Sequence, residues 1–385
     1  MSQERKSAKA VSLLELFFDL VFVCAIAKLT AFLENGYDGT VTVTVFLQYI
    51  FAALIILQVW LYQTNYNNRF GEGRWYENLV MLINMMAVLF MSNTIGIEWS
   101  KISRVFDISM IVMLGSIAAL CFLQSKNGKY GRSEAHSYFL MLLGLIVMYV
   151  LSAILYGLLD TSIISQVITV IAGMIGAFLP ALVRRGKDFD PALIDFPHLT
   201  ERCELLTIVT FGETVAAASK LFRTDTFDAV SILAFCIIAL LFGSYVIHNH
   251  SLMDRHRQDT RGAVLMLAHY IIVISLNMIT VGLVLSYGAG ADGILISRLL
   301  AAGSLAYFGG IFLNGVYYGR KVWTRAEIIL LAVVIAAGSA VMLVIGNSKG
   351  CLISMAVVSG ICFLLLLFKN RSKSVITYSN HEQTN

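Results

Sequence analysis

Two groups of ionisable residues stand in apolar surroundings at helical spacing. Glu15 and Asp19, four residues apart in the run Leu14-Glu15-Leu16-Phe17-Phe18-Asp19-Leu20-Val21-Phe22, share one face of a helix. His198, Glu201, Arg202 and Glu204 open a later apolar segment, and Glu213 follows in Thr210-Phe211-Gly212-Glu213-Thr214. An acid at the middle of a membrane span costs roughly 2.5–3.5 kcal/mol on insertion scales, so Asp19 must meet a partner or water. Glu15, one turn nearer the start of its segment, can instead stand at headgroup level. Arg202 and Glu213 are separated by about 16 Å along a helix, too far to pair directly. Arg202 therefore has Glu201, Glu204, Asp19 and Glu15 to choose from, and one polar cluster containing Asp19, Arg202 and Glu204 is expected. Glu213 is left deep and without an intrahelical cation, either as a proton or cation site or as a buried structural hydrogen bond.

Histidines form a further group. His248, His250, Asp254 and His256 cluster at one end of two adjacent apolar runs without compact metal-ligand spacing, which predicts a solvated polar rim. His269 sits inside an apolar run and is expected to face the bundle, as a satisfied core histidine or as a proton relay. Asn84, Asn93, Asn277 and Asn314 suit interhelical hydrogen bonds. The string Asn65, Asn67, Asn68 and Arg69 before Gly71 predicts a helix stop and a basic anchor. Six cysteines carry no ligand spacing, so neither a zinc site nor a disulfide framework is implied, and no cofactor is assigned.

These residues need elements to hold them, and composition says which. Of 385 residues 58% are hydrophobic and 14% charged, too little polar surface to clothe a soluble globule. The charges fall between apolar runs of about 20 residues, the length a helix needs to cross a bilayer. Spans are expected near 11–33, 41–63, 75–97, 104–124, 137–158 and 161–183, then near 198–219, 226–249, 261–286, 293–319, 325–346 and 350–369. The predicted fold is an all-α polytopic integral membrane protein of about 12 transmembrane helices, with the lipid bilayer as its principal partner. The first run carries Glu15, Asp19 and Lys28, a poor match to a cleavable signal peptide, and is expected to stay in the mature protein.

Lys and Arg set the orientation, because cytoplasmic loops hold the excess. Arg5, Lys6 and Lys9 precede the first span. Arg69 and Arg74, then Lys126, Lys129 and Arg132, then Arg184, Arg185 and Lys187 occupy every second loop. The alternation continues through Arg255, Arg257 and Arg261, then Arg320, Lys321 and Arg325, to Lys369, Arg371 and Lys373, while the opposite loops hold only Lys101, Arg104, Lys220, Arg223, Arg298 and Lys349. Both termini are therefore expected in the cytoplasm of a multi-pass cell-membrane protein. The basic balance is a topology signal and implies no nucleic-acid partner; a homo-oligomer is compatible with it.

A shift of 185 residues brings Asp19 onto Glu204, Lys28 onto Glu213, Trp60 onto Tyr245, Asn84 onto His269 and Arg184 onto Lys369. The chain thus divides into two parallel six-helix repeats, 1–187 and 188–369, followed by a cytoplasmic polar tail at 370–385. The same register makes Lys28 the cation most available to Glu213.

The strings Glu15-Leu16-Phe17-Phe18-Asp19-Leu20-Val21-Phe22-Val23 and His198-Leu199-Thr200-Glu201-Arg202, with Phe211-Gly212-Glu213-Thr214, resemble those of the bacterial low temperature requirement protein A family, over almost the whole chain. Where family members tend to show a Leu-Gly-Glu-Ser-like string this chain has Phe211-Gly212-Glu213-Thr214, a mild departure that keeps the acid. The resemblance implies a role in growth in the cold and no settled activity. A looser likeness links the first string to the Phe-Ser-Asp signature of a six-helix potassium channel family that also occurs as a fused twelve-helix form; Phe18-Asp19 lacks the serine.

Buried acids, parallel halves and few extramembrane residues favour a permeation protein, a secondary transporter or channel for an ion or small solute, with Asp19, Glu213, Arg202, Glu204 and His269 at its site. Glu15, Lys28, His198 and Glu201 would support them. The alternative is a membrane-embedded enzyme or sensor acting on lipid or redox carriers, against which stands the lack of an Asp-Asp-x-x-Asp cluster, paired haem histidines or a nucleotide loop. The topology has a direct test: reporters fused after residue 385 and inserted near Gly36 are expected to report opposite sides of the membrane, and matching signals would refute the twelve-span arrangement.

Overall fold

The computed structural model describes residues 9–35, 41–95, 99–159, 162–183, 190–222, 224, 227–257, 260–287, 292–319 and 322–382. Twelve α-helices follow one another there: α1 (Leu13–Asn35), α2 (Val43–Phe70), α3 (Trp75–Ser92), α4 (Trp99–Asn127), α5 (Arg132–Leu159), α6 (Ser162–Val183), α7 (Phe196–Ala218), α8 (Ala229–Val246), α9 (Ala263–Leu285), α10 (Gly293–Leu313), α11 (Arg325–Ile345) and α12 (Ser348–Glu382). Short 3₁₀ turns stand at Pro191–Leu193, Ser219–Phe222 and Asn314–Tyr317, and a π-helical turn at Ile247–Leu252. All twelve helices are long and apolar enough to cross a membrane.

The distribution of polarity is that of a protein dissolved in lipid. Leu140, Val147, Leu151 and Ile154 on α5 and Ile328, Ile329 and Val333 on α11 point outward, while Asp19, Arg202, Asp107, His198 and His269 are buried. Water would reverse this pattern; hydrocarbon favours it, because each polar group must then be satisfied inside the protein. The chain is an all-α polytopic membrane protein.

Helix starts follow local chemistry. Ser12 and Glu15 form a reciprocal cap at the start of α1: the Glu15 amide donates to Ser12 Oγ at 3.2 Å, and the Ser12 amide donates to Glu15 Oε2 at 2.9 Å. Thr324 and Glu327 do the same for α11, and Asp228 and Ser231 for α8. Asp195 caps α7 by accepting from the His198 amide at 3.1 Å, and Pro197 stands in the first turn, where its missing N–H costs no helical bond.

Two compact units result. The first holds 1–209 with 256–266, and the second holds 210–255 with 267–385. In the first, α4 packs on α5 and α3, α1 on α2 and α3, and α6 on α2 and α5. In the second, α12 packs on α8, α10 and α11 around a core that includes Tyr245, Ile272, Leu276, Tyr307, Phe308 and Met355. Unlike the repeat register, with its division after 187, these units place the beginning of α7 in the first and its end in the second.

One expectation is corrected. Asn65, Asn67, Asn68 and Arg69 do not stop α2, which continues to Phe70 with all four side chains buried. Each finds a partner: Asn65 Nδ2 donates to Leu61 O at 2.8 Å, Asn67 Nδ2 to Glu15 Oε1 at 3.3 Å, Asn68 Nδ2 to Asp195 O at 2.7 Å, and Arg69 bonds Glu134 of α5. Polar side chains end a helix when they compete for its backbone; here Asn67, Asn68 and Arg69 are taken up by tertiary partners, and Asn65 bonds a carbonyl one turn back without interrupting the helix. The loop near Gly36, the division after 187, and Arg5, Lys6, Arg184, Arg185, Lys187, Arg223, Arg320 and Lys321 lie outside the described residues.

Gly73 and Gly131 both have positive φ, at 74° and 64°. A Cβ at Gly73 would meet nothing within 4 Å, whereas at Gly131 it would stand 2.7 Å from Phe70 Cε1 and 2.9 Å from Leu193 Cδ1. Gly73→Ala is expected to cost only the left-handed backbone penalty, roughly 1 kcal/mol. Gly131→Ala should lower the melting temperature in detergent clearly further; equal losses would show that packing at Gly131 contributes nothing.

Candidate functional site

The first unit holds a buried ionic cluster centred on Arg202. Its guanidinium is fully enclosed and forks onto Asp19, with Nη2 to Oδ1 at 2.5 Å and Nε to Oδ2 at 3.1 Å, while Nη1 reaches Glu15 Oε1 at 2.9 Å. Trp60 of α2 donates its indole N–H to Asp19 Oδ1 at 2.7 Å, and its ring lies 5.9 Å from the guanidinium carbon. Bidentate charge-assisted bonds of this kind are the strong ones, and burial of the ions demands them. α1 supplies both acids because Glu15 and Asp19 are one turn apart; α7 supplies the cation.

His198 stands one turn before Arg202 and completes a second layer. Asn68 is oriented by Asp195, whose carbonyl accepts from Nδ2 at 2.7 Å and whose amide donates to Oδ1 at 3.3 Å. Its Nδ2 is therefore a donor toward His198 Nδ1 at 3.0 Å, so Nδ1 accepts and the ring proton sits on Nε2, 3.5 Å from Glu15 Oε1. Lys9 closes the end of the cluster. Its ammonium donates to the carbonyls of Asn67 and Gly71 at 2.8 Å each, where the exposed carbonyls of the α2 C-terminus favour a cation, and its amide donates to Asp195 Oδ2 at 2.8 Å. Burial pushes the Lys9 ammonium below its ordinary value, against the pull of Glu15, Glu77 and Asp195.

From Glu15 a line of polar groups runs on through the bundle. Asn67 Nδ2 donates to Glu15, Gln63 Nε2 to Asn67 Oδ1 at 2.9 Å, Asn84 Nδ2 to Gln63 Oε1 at 2.9 Å, and Ser116 Oγ to Asn84 Oδ1 at 2.8 Å. The line joins α1, α2, α3 and α4 through amide and hydroxyl groups buried among apolar side chains.

The structure thus brings Glu15, Asp19, His198 and Arg202 together. Glu204 is not among the acids that hold Arg202: it is two residues further along α7 and half-buried, and Glu201, one residue before, is exposed. Residues one or two apart on a helix point in different directions, so neither can share the Arg202 face. Glu213 is half-buried in the second unit, where the cation acting on it is Lys220, seven residues on; Lys28 is exposed on α1 of the first unit. His269 is buried in the second unit. Its Nε2 lies 2.9 Å from the Tyr245 hydroxyl and 3.4 Å from Asn249 Nδ2. His248, expected on a solvated rim, is fully buried, with Nδ1 2.9 Å from Asn249 Oδ1 in the π-helical turn. Trp60, Asn68, Asp195 and Lys9 were not foreseen as site residues. The Ser12-x-x-Glu15 cap and the Asp195-x-Pro197 helix start were visible signals that both acids belong to an ordered interior.

A family model described as bacterial low temperature requirement A protein (LtrA) matches residues 10–364. The chain belongs to that family. No curated protein and no solved structure matches it. In this LtrA-family protein both halves of the Arg202 cluster, α1 and the start of α7, lie within the matched span.

Arg202→Met should leave two buried carboxylates without their cation, a loss of about 3–5 kcal/mol, enough to abolish stable protein. Arg202→Lys keeps charge but loses the fork and should fall between the two. Combining Arg202→Met with Glu15→Gln and Asp19→Asn is expected to recover much of the loss in thermal melting, and an unimpaired Arg202→Met would contradict the ion-pair assignment.

Proposed function

We propose that this LtrA-family protein is a permeation protein of the cell membrane, a secondary transporter or channel for an ion or small solute, with both termini cytoplasmic. The observation that carries the reading is the line of polar groups from the Arg202 cluster to Ser116 inside an apolar bundle. Ionisable groups in membrane helices are costly to keep, and ion and proton pathways are their usual employment. The acids of α1 and α7 are the working groups on this view: Asp19 at the Arg202 cluster and Glu213 further along α7. Arg202 holds the α1 acids in place with Glu15 and His198 in support; Glu204 in the first unit and His269 in the second are further candidate groups, each within its own unit, and Lys28 and Glu201 are exposed supporting charges.

Arg202 gives the cluster a way to respond to a solute. Its single charge is divided between two carboxylates, so an arriving cation or proton competes with it for Glu15 or Asp19, and an arriving anion competes with the acids for the guanidinium. Either exchange changes which helix, α1 or α7, holds the charge. That coupling of solute charge to helix contact is the physical basis of a transport step.

Purified protein in liposomes under imposed pH and potassium gradients supplies the test. Wild type is expected to dissipate at least one gradient, Asp19→Asn to lose most of that flux, and Glu213→Gln to stay folded while its flux loses pH dependence. Wild-type pH dependence in Glu213→Gln would remove Glu213 from the site. Folded protein that moves no tested cation and carries a co-purifying cofactor would replace permeation with the enzyme reading.

A further inference from the structure

A second buried acid lies in the first unit, outside the Arg202 cluster. Asp107 on α4 is fully buried, and each carboxylate oxygen meets a hydroxyl from a different helix: Ser152 Oγ of α5 lies 2.6 Å from Oδ2, and Thr169 Oγ1 of α6 lies 2.6 Å from Oδ1. Ser152 Oγ also stands 2.8 Å from Thr169 Oγ1, 3.0 Å from Ser165 Oγ and 3.0 Å from the Ser165 carbonyl. Two helices, α5 and α6, thus converge their oxygens on one carboxyl group of α4.

No cation balances it among the described residues. α6 carries no charged residue, nor does α2 between 43 and 68 or α3 between 78 and 92. On α5 Arg132, Glu134 and His136 lie at least about 24 Å from Ser152 along the helix, and the half-buried Tyr156, one turn after Ser152, carries no positive charge. Arg104, one turn before Asp107 on α4, is exposed. The titratable group that does face the site is Tyr149, one turn before Ser152 on α5. It is fully buried, its hydroxyl has no hydrogen-bond partner among the described residues, and it interacts electrostatically with Asp107.

Counting protons favours a neutral carboxyl. Two oxygens approach within hydrogen-bond distance favourably where a proton lies between them. The hydroxyls of Ser152, Ser165 and Thr169 supply one each, against five such approaches. An ionised Asp107 would bring none, leaving oxygen facing bare oxygen around an unpaired charge in an apolar bundle. A proton on the carboxyl supplies a fourth donor and removes the charge. A metal cation at the centre would spread its oxygen ligands to about 2.9 Å or more from one another, since even the short metal–oxygen bonds of about 2.0–2.1 Å made by magnesium impose that spacing in an octahedral shell. The 2.6 Å approaches are those of hydrogen bonds.

We propose that Asp107, with Ser152, Ser165, Thr169 and Tyr149, is a proton-binding site distinct from the Arg202 cluster, and that it holds one exchangeable proton at neutral pH. The proton comes from water and forms an O–H bond on the carboxyl; on release it returns to water and leaves the carboxylate. The site stands on its own geometry and does not require the permeation reading.

Infrared difference spectroscopy of the purified full chain tests it. A neutral-carboxyl C=O band is expected at neutral pH, shifted in deuterium oxide, lost on titration to alkaline pH, absent from Asp107→Asn and retained in Glu213→Gln. Should Asp107→Asn not fold, Asp107→Glu is expected to move the band, and Tyr149→Phe to change its frequency by removing a hydroxyl dipole that interacts with Asp107. If no neutral-carboxyl band depends on residue 107 at neutral pH, the proposal is overturned. It is equally overturned if the band appears only when choline replaces sodium and is saturably abolished by sodium, because the site would then take a metal cation.

Discussion

The guanidinium of Arg202 has to be neutralised where no water reaches it, and much of the first unit is arranged around that requirement. Moving an ion out of water costs several kcal/mol even after relaxation, and only close, well-directed counter-charges repay it. Asp19 meets the fork edge-on, Glu15 takes the remaining Nη1, and Trp60 holds Asp19 from the other side. These contacts fix α1 against α7 and α2 at one depth. Glu15 is fixed twice, since its second oxygen caps its own helix through Ser12. Moving Glu15 would therefore disturb both a helix start and an ion pair.

The same unit solves a buried carboxyl in two opposite ways. At Asp19 the charge is kept and matched by a cation; at Asp107 hydroxyls from α5 and α6 surround the group and no cation is present among the described residues. The difference follows from what each neighbouring helix can offer. The start of α7 carries Arg202, whereas α6 is free of charged residues and offers serine and threonine. An ion pair resists a change of protonation, and a hydroxyl cage accommodates one.

The second unit uses uncharged partners. His269, Tyr245, Asn249 and His248 form a short chain of ring nitrogens, hydroxyl and amide, with Asn249 and His248 inside a π-helical turn. A π-helical turn widens the helix by one residue and re-aims the side chains around it, a device frequent at functional positions. Close by, the backbone bridge between Met253 and Tyr318 and the bond from the Asp254 amide to Tyr317 O at 2.9 Å tie the end of that turn to the segment after α10.

Much was legible before any tertiary contact. Apolar runs of bilayer length determined twelve spans, and Ser12-x-x-Glu15 and Thr324-x-x-Glu327 marked two of their starts. The cost of charge in hydrocarbon determined that Asp19 and Arg202 needed partners, but the sequence left Glu201, Glu204, Glu15 and Asp19 all open to Arg202 and pointed to Glu204 through the repeat register. Tertiary structure decided which partners those were. It chose Glu15, fifteen dozen residues and more away in the chain, over acids adjacent in sequence, because side chains meet by helix face and depth and not by proximity along the chain. It also carried α2 through Asn65–Arg69, since whether polar side chains break a helix depends on what lies beside them. And it turned Asp107, a lone acid in an apolar run, into the centre of a hydroxyl cage, which depends on the approach of α5 and α6 and leaves no mark in the local sequence.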